Sequence, residues 1–421
     1  MSRASGDQEC CIRDTALKLF ASFFQDSGRK FVVLIFIFNT FHTAKSSKLA
    51  NSLAMELLLN TKINTVVSPL LVRFPLCKLT SEAEGTTKSD LLSILGIKSK
   101  EVPNCYTEIK DVLEGMSHMD FLSLNKIIVN YTDDVKLQFI SNGANYGIKV
   151  DKIGFNYPSS AISFINRWVD KATLKRVTDV LEPNDINNKS SMLIINAAYL
   201  KVTWEIPFDI TLTKNAKFYQ IDGKVSTVSM MTKMDTCLYF QDENMNIQFV
   251  TMKLASFGIT MSIALPETRK GLSELLHKLL QEPNYFDQIQ NNMKFETIKI
   301  NLPRFKIKNC FELDKYLKKI GASQLFNETY SGLDRILKKN STSKNIHLSK
   351  VKQKIFIDID EMGIFRKLPG EMYDETHGLA FGSTEVVGDH PFYFTVNLQT
   401  SPLENARRYH LFQGVYYGPE N

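Results

Sequence analysis

The sequence lacks the short motifs that carry enzymatic chemistry. Its 421 residues contain no G-x-S-x-G, H-E-x-x-H or G-x-x-x-x-G-K motif and no paired dinucleotide-binding glycines. The seven histidines are isolated along the chain. His377 stands beside Asp374 and Glu375, but a single His in an acidic loop is most simply a solvated residue. We therefore expect a protein that is not an enzyme and needs no cofactor or metal.

The six cysteines are scattered, and no two of them form a C-x-x-C pair. They are Cys10, Cys11, Cys77, Cys105, Cys237 and Cys310. This spacing argues against the usual zinc sites and against a dense disulfide framework. Cysteine in such a pattern is most often a small buried side chain, so we expect free, mostly buried thiols. Cysteine usage therefore leaves the redox compartment undecided.

Positive charge is too dispersed to indicate a nucleic-acid-binding protein. The formal net charge is +6, and the densest basic stretch is interleaved with Asn, Ser and Ile, which predicts a solvated face. That stretch comprises Arg335, Lys338, Lys339, Lys344, Lys350, Lys352 and Lys354. No aromatic platform, zinc spacing or glycine clamp accompanies it, so we expect no nucleic-acid partner. Binding of another polyanion is left open.

A long apolar run is also missing. The run Phe31 to Phe38 has eight residues, whereas a membrane-spanning helix needs about 20, so we expect no stable membrane insertion. Arg29 and Lys30 precede the run and NTFHTA follows it, which is the order of a secretory signal over residues 29–44. The 28 residues before Arg29 are atypical of a signal. Secretion is the prediction, and a cytoplasmic location is the alternative.

Glycosylation is weakly indicated. Four N-x-S/T sequons begin at Asn130, Asn188, Asn327 and Asn340. About four would arise by chance in this composition, so they add little support for secretion.

No linker, charge block or internal repeat divides the rest of the chain, which predicts one α+β domain over residues 46–421 and an N-terminal extension over residues 1–45. Period-3.6 patterns predict helices at Ser46 to Leu59, Asp90 to Gly96 with a cap at Ser89 or Asp90, Ala161 to Ala172, Leu272 to Leu280 and Glu312 to Ile320. Apolar and β-branched runs predict strands at Val66–Val67, Met192 to Leu200, Thr260 to Leu265, Thr297 to Ile300, Ile355 to Asp360 and Phe392 to Val396. The apolar run from Met192 to Leu200 predicts a central strand buried on both faces.

Four segments carry a resemblance to a known family. They are NTVVSPL, SSMLIINAAYLKVTWEIPFD, INLPRFKIKNCFELDKYLKKIGASQLF and SKVKQKIFIDIDEMG, and the closing pattern P-F-x-F…L-F-x-G follows them in order. Together they resemble the serpins, the serine protease inhibitor superfamily. The resemblance implies a monomeric domain with three β-sheets, about eight or nine helices and an exposed reactive loop at about residues 363–390.

The resemblance also implies a mechanism that can be checked against the loop sequence. In inhibitory serpins a protease cleaves the loop, and the freed strand inserts into the central sheet before the acyl-enzyme hydrolyses. The family writes the hinge of that loop with small residues. Here Glu361 and Gly363 match, but the family's Thr and Ala are replaced. The departing positions are Ile364, Arg366, Leu368 and Pro369, within IFRKLPG.

Alternation along an inserted strand would place Ile364, Arg366, Leu368 and Gly370 on one face, the face that enters the core in the family. Burial of Arg366 would slow or stop insertion. The family's sheet-opening cluster corresponds to Ser68, Asn196, Trp204 and Gln353. Gln353 stands where a His is common, and Leu71 replaces a customary Ser.

Two hypotheses follow. The hinge favours a non-inhibitory binding, carrier or storage protein with an unknown ligand. The alternative is a working inhibitor of chymotrypsin-like or elastase-like proteases, with the scissile bond among His377, Gly378, Leu379, Ala380 and Phe381. No Lys or Arg lies between Glu371 and His390, so a protease with an acidic specificity pocket is excluded as the target.

Overall fold

The computed structural model describes residues 49–116, 119–339, 341, 345–363, 384–399 and 408–420. Within these ranges it contains nine α-helices, which alternate with strands along the chain. They are α1 (Ala54–Asn60), α2 (Pro69–Glu82), α3 (Gly85–Leu95), α4 (Thr107–Gly115), α5 (Leu137–Ser141), α6 (Pro158–Ala172), α7 (Gly271–Gln281), α8 (Tyr285–Asn292) and α9 (Asp314–Leu317). None of the helices in this part of the chain is both long and apolar enough to cross a membrane.

Fourteen strands accompany the helices in the described ranges. They are β1 (Thr65–Val67), β2 (Asp120–Asn130), β3 (Lys149–Ile153), β4 (Met192–Lys201), β5 (Lys214–Tyr219), β6 (Val225–Asp242), β7 (Ile247–Lys253), β8 (Ile259–Pro266), β9 (Lys294–Pro303), β10 (Phe305–Glu312), β11 (Leu348–Ile359), β12 (Glu385–Val387), β13 (Phe392–Gln399) and β14 (Arg408–Tyr416). The α+β class predicted from the sequence is confirmed.

The described strands form two hydrogen-bonded sheets rather than the three that the resemblance implied. One sheet has nine strands in the order β1-β14-β13-β8-β7-β6-β9-β12, with β5 paired to β6. The other has five, in the order β10-β11-β4-β2-β3. The 18-residue strand β6 pairs with β5, β7 and β9 along its length. Since it joins two groups of strands without a break, a separate third sheet does not appear among the described residues.

Strand β4 lies in the middle of the five-stranded sheet, as its apolar sequence predicted. Nine of its ten residues are buried, and it pairs with β11 on one side and β2 on the other. Helix α6 covers one face of this sheet because Ile165 and Val169 recur on one side of the helix and pack in the same apolar cluster as Tyr199. The main core, which includes Ile194, lies on the opposite face.

The bounds of two helices differ from the sequence-based expectation. Helix α3 begins at Gly85, not at the predicted caps Ser89 or Asp90, while its end at Gly96 adopts the expected left-handed conformation with φ 64°. The segment predicted as a helix from Ser46 begins within the described residues at Leu49 as one wide turn before α1. Helix starts are poorly marked here because Glu84 provides no side-chain cap.

The cysteine expectation was partly wrong. Cys77 of α2 and Cys105 form a disulfide across a separation of 28 residues. Cys237 is a buried free thiol, and Cys310 is a half-buried one. The two bonded residues carry no recognisable spacing motif, and only the packing of α2 against the segment before α4 brings them together.

The solvated basic face was also a wrong expectation at two positions. Lys352 is only 5% exposed, and its ammonium lies 2.9 Å from the carboxylate of Asp185. Lys350 lies 2.9 Å from Glu312. These lysines belong to β11, where they attach the strand to its neighbours instead of presenting charge to a polyanion.

Candidate functional site

The junction between β4 and β11, called the seam below, is the feature of the fold around which the predicted site residues gather. The two strands are parallel and pair directly through ten residue pairs, from Leu348 opposite Met192 to Asp358 opposite Lys201. No other described strand lies between them. Parallel pairing of neighbouring strands leaves no room for a further strand unless the seam opens.

Three of the four residues predicted for the sheet-opening cluster meet at the centre of the seam. Gln353 lies opposite Asn196, and both are buried with Ser68 on the core side. The Gln353 carbonyl oxygen accepts from the Ser68 N–H at 2.8 Å, and its amide donates to the Ser68 carbonyl at 2.9 Å. A single side chain thus satisfies both backbone groups of a residue at the start of α2.

Asn196 ties the centre of the seam to its surroundings. Its amide donates to the Leu71 carbonyl at 3.2 Å and to the Asn125 side-chain oxygen of β2 at 2.9 Å. Its own carbonyl oxygen is buried and accepts no hydrogen bond from the described residues. Leu71, which stands where the family customarily has Ser, offers no hydroxyl there. The centre of the seam therefore contains one unsatisfied acceptor, a destabilising feature in a buried site.

Trp204, the fourth predicted residue, lies apart from this cluster at the end of the seam where β11 leads to the loop. Its indole donates to the Asp360 carbonyl at 2.7 Å, and its backbone N–H donates to the Met362 carbonyl at 2.9 Å. Trp204 also forms a parallel bridge with Gly363. A Cβ at Gly363 would lie 2.8 Å from Pro207, so the close approach of these backbones requires glycine.

Glu361 anchors the chain just before the loop. Both carboxylate oxygens accept from one guanidinium nitrogen of Arg304 at 2.6 Å, and the Thr213 hydroxyl donates at 2.7 Å. Burial opposes ionisation of Glu361, but these bonds outweigh it and lower its pKa below the ordinary value of 4.5. The hinge therefore begins from a fixed, charged attachment point.

Side chains that no sequence motif marks connect the two strands at the opposite end of the seam. The Ser191 N–H donates to the Ser349 hydroxyl at 2.9 Å, and the His347 N–H donates to the Ser191 hydroxyl at 3.4 Å. Ser191 in turn donates to Asp133 at 2.9 Å. Ser349 sits where the pairing register of β11 shifts, so side chains replace ladder bonds at this point. No local motif marks a place where side chains take over the hydrogen bonds of a strand ladder.

The core face of the seam is covered over both strands, and the opposite face is covered over β4. On the core side, Ile194 and Ala198 of β4 and Ile355 of β11 belong to the main apolar cluster. On the other side, Ala197 and Tyr199 of β4 pack beneath α6 and the segment after it. A strand that entered the seam would therefore bury the row of side chains that faces the core.

The remaining predicted residues lie outside the described residues. They are Ile364, Arg366, Leu368, Pro369 and the candidate scissile residues His377, Gly378, Leu379, Ala380 and Phe381. Only Glu361 and Gly363 of the predicted hinge are described.

The sequence matches the model of a known family. The model of the family Serpin, serine protease inhibitor, matches residues 44–415. The chain belongs to the serpin family. Serine protease inhibitor 42Dd of Drosophila melanogaster is 28% identical to this serpin over 351 residues, which are 80% of this chain and 88% of that protein. Antichymotrypsin-2 of Bombyx mori is 26% identical over 300 residues, covering 71% and 78% of the two chains.

Solved serpin structures share the fold. Serpin48 of Tenebrio molitor superposes with a TM-score of 0.74 at 22% identity, covering 89% of this chain and 96% of that one. Uncleaved ovalbumin gives a TM-score of 0.74 at 19% identity, covering 90% and 99%. At this identity the superpositions establish the architecture.

Proposed function

We propose that this serpin is a non-inhibitory, binding or carrier-type member whose loop inserts slowly or not at all. The observation that carries the proposal is the covered seam. Because the main apolar cluster lies against the core face of both β4 and β11, a charged residue on that face of an entering strand would lose its water. Arg366 stands three residues after Gly363, near the front of any such strand.

Two residues of the loop oppose its insertion. Burial of an unpaired guanidinium such as that of Arg366 costs several kcal/mol even after relaxation. Pro369 has no N–H for the ladder between two neighbouring strands, which costs about 3 kcal/mol by analogy with helix interiors. The serpin trap requires insertion to outrun hydrolysis of the acyl-enzyme, and each ~1.4 kcal/mol on the barrier slows insertion tenfold. These costs are large enough to abolish efficient trapping.

A hinge-repaired variant tests the proposal directly. In this variant Ile364→Thr, Arg366→Ala, Leu368→Ala and Pro369→Ala restore small residues. After cleavage of the loop of both proteins, the natural chain should keep its melting temperature, whereas the repaired chain should gain stability because its strand inserts. An equal, large gain in the natural chain would show that its hinge inserts and would overturn the proposal.

The second candidate is a working inhibitor, with a scissile bond among residues 377–381. Two relatives with inhibitory names, Serine protease inhibitor 42Dd and Antichymotrypsin-2, favour it. Purified protein should be mixed with chymotrypsin and with elastase and then boiled in detergent. We expect cleaved serpin without a covalent complex. A detergent-stable band of serpin plus protease from the natural chain would establish inhibition.

We also propose that the protein is secreted. The Cys77–Cys105 disulfide supports this because such bonds persist in oxidising compartments. Two sequons are accessible, since Asn188 and Asn327 are exposed, whereas Asn130 is buried and donates to the Ser190 carbonyl. Sequencing of the mature N-terminus checks the proposal. A start within or after residues 29–44 in protein recovered from medium supports it, and intact protein confined to cytoplasm contradicts it.

A further inference from the structure

A cavity of about 360 Å³ lies away from the seam, between the end of α2, the start of α4 and the turn at residues 142–146. Its volume falls within the range of small-molecule sites. At ~30 Å³ per water molecule of liquid volume, it is equivalent to about twelve waters. Among the described residues, none of β4 or β11 lines it, so the cavity is separate from the seam.

The floor of the cavity contains a charged pair, formed by a buried lysine and a half-buried glutamate. Lys78 is 1% exposed, and its ammonium lies 3.1 Å from Glu82 and 4.6 Å from the ring centroid of Phe139. A second ring, that of Tyr146, has its centroid 5.4 Å away. The positive charge is therefore neutralised by the carboxylate and held by two aromatic faces. Among the described residues that line the site, Lys78 and Glu82 are the only charged ones, so their charges balance.

The walls are joined covalently. Cys77 is the neighbour of Lys78, and its disulfide partner Cys105 stands between the two lining residues Pro103 and Thr107. The bond holds the segment before α4 against α2, so these two walls are restrained from moving apart or sliding past each other. A cavity fixed in this way is preorganised, which lowers the entropic cost of binding.

The polar groups on the walls have unused hydrogen-bonding capacity. The hydroxyls of Ser81 and Thr107 donate to backbone carbonyls of their own segments, which leaves their oxygens as acceptors. The second oxygen of Glu82 is a further acceptor, since its ion pair with Lys78 uses the first. Asn142 is half-buried and Asn145 is exposed, and neither side-chain amide makes a hydrogen bond within the described ranges. Each therefore offers an NH2 group as donor and a carbonyl oxygen as acceptor.

We propose that this cavity binds a small neutral polyhydroxylated molecule of about the size of one hexose. A neutral ligand is favoured because an anion would meet Glu82 and a cation would meet Lys78, and the two lie 3.1 Å apart. Hydroxyl groups suit walls that offer donors and acceptors together. A hexose, with twelve non-hydrogen atoms, is smaller than the volume of about 360 Å³, so it fits together with a few bound water molecules.

Isothermal titration of the purified full chain tests the inference. The neutral probes are D-glucose, D-galactose and myo-inositol, and the charged probes of similar size are D-glucosamine and glucose 6-phosphate. We expect at least one neutral probe to bind with a Kd of about 1 mM or lower, and the charged probes to bind at least about tenfold more weakly.

Two variants locate the binding in the cavity. Asn142→Ala and Asn145→Ala should each raise the Kd of the neutral probe about fivefold through loss of one or two hydrogen bonds. Asn215→Ala, at an exposed asparagine of β5 remote from the cavity, is the matched control and should leave affinity unchanged. The inference fails if no neutral probe binds with a Kd of about 1 mM or lower, if a charged probe binds as tightly, or if both cavity variants bind like the natural chain.

Discussion

Gln353 and Ser68, which are 285 residues apart in sequence, exchange two hydrogen bonds at the centre of the seam. Replacement of Gln353 by Leu would leave the Ser68 N–H and carbonyl buried without partners. We expect a loss of about 2–4 kcal/mol in the free energy of unfolding. Denaturant titration checks it, with Gln281→Leu at the exposed end of α7 as control, where the change should stay within about 0.5 kcal/mol. Equal losses in both variants would contradict the role of the paired bonds.

The pair formed by Glu361 and Arg304 should contribute stability that depends on pH. Because the pKa of Glu361 is lowered below 4.5 on folding, the folded state binds the proton less tightly than the unfolded chain. The contribution is therefore present above about pH 4.5 and is lost as the pH falls through the lower folded value. Glu361→Gln should be less stable than the natural chain at neutral pH, and the difference should shrink in acid. A difference that does not change with pH would show that the carboxylate charge is not involved.

His410 predicts a second, separate pH effect. It is buried beside Asn397, and burial followed by the charge of Arg408 lowers its pKa from 6.5 to about 4. Since the unfolded chain binds a proton at higher pH, stability from this group is present above about pH 6.5 and is lost progressively down to about pH 4, by up to about 3 kcal/mol.

The measurement is the slope of unfolding free energy against pH between these two values. His410→Gln should flatten the slope, whereas His277→Gln, at an exposed position of α7, should leave it unchanged. An unaltered slope in His410→Gln would mean that the imidazole is not kept neutral by the fold.

Removal of the Cys77–Cys105 disulfide should destabilise the protein by about 3–4 kcal/mol, the loop-entropy value for a 28-residue separation. The double variant Cys77→Ala, Cys105→Ala is compared with Cys310→Ala, which removes a half-buried free thiol. Thermal unfolding under non-reducing conditions gives both values. The unfolding is then repeated with a thiol reductant. A lower melting temperature in the natural chain, with no change in the double variant, would show that the lost stability comes from this disulfide.

Sequence reasoning succeeded where a local pattern decides the structure. The apolar run of β4 predicted a central strand, and the helical spacing of Ile165 and Val169 predicted a helix, each within a few residues of its observed bounds. A strand buried on both faces is almost continuously apolar, whereas a helix buried on one face repeats its apolar residues every three or four positions. The same reasoning placed Asn196 and Gln353 in one cluster only through the family resemblance. Their pairing depends on the register of β11 against β4, which no local pattern specifies.

Elsewhere the sequence could not decide. Cys77 and Cys105 lie on different elements, so their bond follows from tertiary packing. The lysines of β11 resemble any exposed basic stretch until Asp185, from the segment after α6, is placed against Lys352. The number of sheets depended on how far β6 extends, and its 18 residues exceed any run that alternation alone would assign.

The parallel seam also has a kinetic consequence for folding. Ser191 and Ser349, at the end of the seam away from Trp204, are 158 residues apart. During synthesis β4 therefore has no β11 to pair with until most of the domain has been made. Non-local parallel pairing of this kind is slow, since loop closure precedes any gain in contacts. Until then one side of β4 presents unpaired backbone groups in an apolar strand, which makes the nascent chain most vulnerable to wrong pairing at the strand that later forms its centre.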